Sequence, residues 1–101
     1  MTDRADRIAA LLTDRFAPLR MAVQDDSARH AGHAGAAPGG QTHYSVLVVS
    51  AGFTGLSRVA RSRAVHAALA AEFAGGLHAL ALTLRTPAED AQSAATRSGP
   101  V

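Results

Sequence analysis

The chain has 101 residues, a formal net charge of +2 and no cysteine. A length of this order supports one domain with a modest core. The missing thiols exclude a disulfide framework, a thiolate nucleophile and a thiolate metal site built from this chain alone.

The opening stretch MTDRADRIAALLTDR alternates charged and apolar residues and lacks the uninterrupted core of a signal peptide. Thr2 or Asp3 is placed to cap a first helix. Ile8, Leu11, Leu12 and Phe16 follow helical spacing, and Asp3, Arg4, Arg7 and Asp14 are expected to face water. Pro18 stops that helix. LRMAVQD then alternates Leu19, Met21 and Val23 against Arg20, Gln24 and Asp25, the pattern of a short strand with one buried face.

A loop follows over residues 26–41, rich in alanine and glycine and without a period. Its length exceeds the ~2–5 residues of an ordinary hairpin connection, and long loops are commonly functional or irregular. THYSVLVVS is the clearest strand, apolar on both parities as in a strand covered on both faces. AGFTGLS reads as a turn. Ser57 caps a helical region in which Val65, Leu69 and Phe73 form a core stripe, with a break expected near Ser62. Gly75–Gly76 end it. In the last strand, LHALALTLR, Leu80, Leu82 and Leu84 share a face with His78, and Ala79, Ala81 and Thr83 share the other. Pro87 ends that strand, AEDAQ adds at most a turn of helix, and residues 92–101 are expected to form a disordered tail.

The predicted fold is α+β, in the order α-β-β-α-α-β. A hairpin with a long loop precedes a helical crossover that returns the third strand parallel to the second. The result is a three-stranded mixed sheet with helices on one face, in a single domain over residues 1–91. The apolar runs fall far short of the ~20 residues of a membrane span. A soluble, cytoplasmic protein is expected.

Catalytic patterns are weak. Asp25 and Asp26 are adjacent, so on a strand they point to opposite faces and do not cooperate as an acid–base pair. Ser27 near His30 lacks a strained elbow and a third partner. Gly39–Gly40 lack the lysine of a phosphate loop. No enzyme is expected.

The histidines carry more. Imidazole is the commonest metal ligand and needs no thiol neighbour. His30 and His33 lie three apart in the long loop, where a shared ion and simple solvation are both open. The default for His78, among leucines, is a core histidine satisfied by backbone; for His43, a structural residue at a strand end; for His66, a surface residue. Arg58, Arg61 and Arg63 cluster on the helical region, either as a solvated face or as a grip on phosphates. Against the latter, the sequence pI of about 10.4 reflects an all-arginine basic complement and overstates the charge near neutrality.

Four motifs in order resemble the BolA family: DDS followed by a histidine (Asp25 to His30), THYSVLVVS, FTGLSRVARSRAVHAALAAE and LHALALTLRTP. The resemblance runs from about Arg7 to Glu89. It implies a class II KH-like fold. It further implies pairing with a monothiol glutaredoxin and a shared [2Fe–2S] cluster, with glutathione supplied on the glutaredoxin side. The resemblance implies a nitrogen ligand from the histidine that opens the last strand, which is His78 here, and a second ligand from the long loop. Counted forward from DDS that ligand is His30; counted back from THY, His33 matches nearly as well. The free protein is expected to be a monomer or weak homodimer that does not engage membranes. The alternative implied function is a nucleic-acid-binding transcriptional regulator acting on DNA through Arg58, Arg61 and Arg63. Many members carry Arg-His-Arg where this chain has Arg61–Ser62–Arg63.

Overall fold

A computed structural model describes residues 3–26 and 42–98, the last five of these as backbone only. The first helix, α1 (Arg4–Phe16), is capped by Asp3, whose carboxylate accepts from the Asp6 N–H at 2.9 Å. It ends at Ala17, whose φ of 45° turns the chain ahead of Pro18. The sheet consists of β1 (Arg20–Asp25), β2 (His43–Val49) and β3 (Ala79–Arg85), in that spatial order. β1 and β2 are antiparallel, and β2 and β3 are parallel. The crossover between β2 and β3 carries a 3-10 turn at Ala51–Phe53, then α2 (Arg58–Ala68) and α3 (Ala70–Ala74). Ser57 caps α2 through the Ala60 N–H. The α+β order and the mixed sheet match the expectation.

Burial follows the helical stripes. Ile8, Leu12 and Phe16 of α1 meet Tyr44, Val46 and Val48 of β2, and Phe53, Val65, Leu69 and Leu77 close the cluster. The Phe16 and Phe53 rings sit 5.0 Å apart, tilted by 42°, a favoured geometry for aromatic pairs. Only one parity of β2 is deeply buried along most of its length. Ser45 and Leu47 on the other face are half-buried, so the strand is not covered on both faces as its composition suggested. Val49 is buried on that second parity. It stands in register between Arg20 and Arg85, and Asp90 gathers both arginines, at 2.6 and 3.2 Å.

Several local expectations are corrected. Leu19 is 76 % exposed, outside β1 rather than on its buried face. The helical break falls at Leu69 and not at Ser62. Arg4 is buried and does not face water: its Nε donates to Glu72 at 3.1 Å and its Nη2 to the Gly75 carbonyl at 2.7 Å. After Pro87 the chain forms a further helix, α4 (Pro87–Ser98), where a disordered tail was expected from residue 92. Thr86 and Glu89 form a reciprocal cap: the Thr86 N–H donates to Glu89 Oε1 at 2.8 Å, and the Glu89 N–H donates to Thr86 Oγ1 at 3.2 Å. That capping box, with Pro87 at the first helical position, is a strong helix start.

The closure of α3 positions the residues that follow. Gly76 adopts φ +119°, a conformation open to glycine and strained for other residues. The Leu77 N–H donates to the Glu72 carbonyl at 2.9 Å and the Gly76 N–H to that of Phe73 at 3.3 Å. These are the two bonds of a Schellman closure. The chain therefore turns sharply into β3 with Leu77 buried and His78 exposed.

Candidate functional site

His78 stands immediately before β3, at the end of the sheet where the parallel pair begins. Its N–H donates to the Thr42 carbonyl at 2.8 Å, and the Ala79 N–H shares that acceptor at 3.1 Å. The default reading of His78 as a core histidine does not hold, since its side chain is exposed.

Thr42 is the first described residue after the long loop, and Asp26 the last before it. The Asp26 N–H donates to the His43 carbonyl at 2.8 Å. The Asp26 carboxylate accepts from Ser45 Oγ and, at 2.9 Å, from Gln24 Nε2. The residues that flank segment 27–41 are thus held at the sheet end that carries His78. His30 and His33 lie outside the described residues.

The sequence reading missed one neighbour. The His43 ring stacks on that of His78, with centroids 5.3 Å apart and planes 30° from parallel. Thr42 Oγ1 lies 2.9 Å from His43 Nδ1. The signal was available: two histidines each lead into one strand of a pair predicted to be parallel. His66 lies elsewhere, exposed, stacked on Phe73 with its Nδ1–H donating to the Ser62 carbonyl at 2.9 Å.

The donor chemistry suits an iron ligand set of a particular kind. An exposed imidazole at a sheet end offers a neutral nitrogen, and the chain offers no sulfur. Among the described residues no three His, Asp or Glu side chains gather closely enough to hold an ion. A cluster held here needs thiolates from another molecule and a further ligand from outside the described residues.

The arginine cluster separates. Arg58 and Arg63 are exposed, whereas Arg61 is buried. Arg61 donates from Nε to the Leu56 carbonyl at 3.0 Å and from Nη1 to that of Leu84 at 3.3 Å. It also clasps Glu89 in a bidentate pair, at 2.6 and 3.2 Å. Chiefly through that hydrogen-bonded guanidinium, and then through the Thr86 N–H, the Glu89 carboxyl is held down at about 2. Neither a solvated face nor a phosphate grip of all three arginines holds: Arg61 is a structural tie between α2, β3 and α4. An open cleft of about 560 Å³ lies between these elements, with Arg58, Arg61, Leu82 and Leu84 on its walls. Arg61→Met is expected to lower stability by about 2–3 kcal/mol, because two carbonyl acceptors lose their donor. Arg58→Ala, an exposed change, should cost under ~0.5 kcal/mol. Chemical denaturation of the two variants checks the contrast, and equal costs would contradict it.

Among the described residues the architecture is that of a small α+β domain with a three-stranded mixed sheet and four helices, bearing a histidine pair at one end of the sheet. A family model described as BolA-like protein matches residues 12–89. The chain is 44% identical over 82 residues to BolA-like protein 1 of Homo sapiens, covering 81% of this chain and 57% of that protein. The structure is similar to BolA1 from Arabidopsis thaliana, with a TM-score of 0.78, 38% identity and coverage of 88% of this chain and 97% of that one. It is equally similar to the BolA domain of SufE1 from Arabidopsis thaliana, with a TM-score of 0.79, 38% identity and coverage of 88% and 98%. The chain belongs to the BolA-like family. It spans 56–58% of the length of the BolA1 proteins of Arabidopsis, human, orangutan and cattle that it matches. No helix among the described residues is long and apolar enough to cross a membrane.

Proposed function

We propose that this chain is a non-enzymatic iron–sulfur accessory protein. It pairs with a monothiol glutaredoxin and contributes His78, with His30 or His33, to a bridging [2Fe–2S] cluster. The observation that carries the reading is the anchoring of the loop: the residues that begin and end it lie at the sheet end that carries the exposed His78. The occurrence of a BolA domain within SufE1 is in keeping with an iron–sulfur setting.

In this arrangement the cluster supplies one-electron and transferable iron–sulfur chemistry, with sulfur ligands from the glutaredoxin cysteine and glutathione. The chain's part is to present neutral imidazole nitrogens. Imidazole in place of thiolate raises a cluster's potential. With no cysteine of its own, the chain holds a cluster only as one half of a heterodimer. It acts in the cytoplasm, and its free form is a monomer or weak homodimer.

Reconstitution of the heterodimer with iron, sulfide and glutathione tests the reading. His78→Ala is expected to abolish or strongly alter the visible absorption and circular dichroism. Spectra identical to wild type would refute the assignment.

The second reading is a KH-like nucleic-acid-binding regulator. It retains exposed Arg58 and Arg63 on α2 but loses Arg61 to the Glu89 pair. Such binding is salt-dependent, with a slope set by the phosphates neutralised. A flat titration against DNA and RNA at low salt is the expected result, and saturable, salt-sensitive binding would revive this reading.

A further inference from the structure

We propose that His43 is a positioning residue that fixes the ring of His78 by stacking, an inference that rests on His78 being a cluster ligand. The two rings lie with centroids 5.3 Å apart and planes 30° from parallel. A stack covers a face of the imidazole and leaves free its edge, where both nitrogens lie. Thr42 Oγ1 already engages one of the two His43 nitrogens, which favours support by His43 over shared ligation.

The support is itself fixed. Thr42 is buried and His43 half-buried. Thr42 Oγ1 lies 2.9 Å from His43 Nδ1. The Thr42 carbonyl holds the backbone of both His78 and Ala79. The His43 carbonyl takes the N–H of Asp26, the residue after β1, at 2.8 Å. An exposed histidine at a strand end otherwise samples several rotamers, and ordering it on ligation costs side-chain entropy. The stack restricts the ring beforehand. Groups that orient a metal-binding histidine commonly alter metal retention by about 10–100-fold when removed.

His43→Phe and His43→Ala separate the possibilities, because phenylalanine keeps a flat ring and offers no nitrogen. Each variant is reconstituted with a monothiol glutaredoxin, glutathione, iron and sulfide. Phe is expected to keep the wild-type visible circular dichroism and the reduced-state electron paramagnetic resonance signal. Ala is expected to lose cluster to a chelator about tenfold faster, with a broadened signal. Loss in both variants would make His43 a nitrogen donor and overturn the proposal, as would wild-type behaviour of Ala. A second readout uses the apo chain alone. The His78 ring-proton resonances should keep their ring-current shift in the Phe variant and move towards free-histidine positions in the Ala variant. Unmoved resonances in Ala overturn the stacking. If His78→Ala leaves the cluster spectrum intact, the cluster reading fails and the positioning role falls with it, whereas the apo resonances still report whether the rings stack.

Discussion

Glu72→Ala is expected to lower the unfolding free energy by about 3–5 kcal/mol, the range for removing one partner of a buried ion pair. The Glu72 carboxylate accepts from Arg4 Nε and from Arg7 Nε, each at 3.1 Å. The Arg4 and Glu72 side chains are 11 % and 10 % exposed, whereas that of Arg7 is 41 % exposed. Deleting the carboxylate takes the ionic acceptor from the buried Arg4 guanidinium, whose Nη2 also donates to the Gly75 carbonyl. Deleting Arg7 leaves the Arg4 pair intact and should cost about 1 kcal/mol or less. Urea denaturation of the two variants reads the asymmetry, and similar small costs would refute it. The pH dependence follows from the same contacts. The hydrogen bond from Arg7, then that from Arg4, holds the Glu72 carboxyl below its ordinary value of 4.5 against the opposing effect of burial. A lowered carboxyl contributes stability above pH 4.5 that is lost as pH falls through its folded value. Glu72→Ala should therefore flatten part of the acid limb of the stability profile.

The second large effect lies at the alkaline end. Tyr44 is 2 % exposed, and burial pushes its phenol from 10.0 up to about 12, with the Asp25 carboxylate adding to the rise. A raised acid is neutral in the fold where it would ionise in the unfolded chain. Its contribution is complete below pH 10 and is lost as pH climbs towards 12. The span corresponds to roughly 2–3 kcal/mol. The composition makes the measurement clean. Tyr44 is the chain's one tyrosine, tryptophan is absent, and no lysine titrates in that window. Tyrosinate absorbance should stay low through pH 10 and rise only towards 12 or together with unfolding. Tyr44→Phe should remove the stability loss across that window. Ionisation near 10 in the folded protein would show that the phenol is solvated.

Apolar periodicity was sufficient for the order of elements, because α1 and the three strands each bury one regular stripe. Composition misjudged β2, whose second parity is as apolar as the first although it is only half-covered at Ser45 and Leu47. The caps at Asp3 and Ser57 were legible, and so was the closure at Gly75–Gly76. The break at Leu69 was not, since neither glycine nor proline marks it. The burial of Arg4 and Arg61 was also hidden. An arginine is buried only where carboxylates and carbonyls from distant segments meet it, and Glu72, Gly75, Leu84 and Glu89 are brought there by the fold. The fourth helix was announced by Thr86–Pro87–Ala88–Glu89, a capping box read as the end of a strand followed by at most a turn of helix. For the site, local pattern left His78 as a core histidine and His43 as a structural one, and only the family resemblance singled out His78. Their contact depends on the parallel register, in which His43 stands opposite Ala79.

That register has a thermodynamic consequence. The two rings come from segments far apart in sequence, joined only once the helical crossover has formed. In the unfolded chain they are separate imidazoles, so the paired site exists only in the native state. A ligand that prefers the assembled pair stabilises the whole domain by mass action, by about 2.7 kcal/mol at a hundredfold excess over its dissociation constant. Thermal melting of the entire chain is then a gauge of occupancy at one end of its sheet.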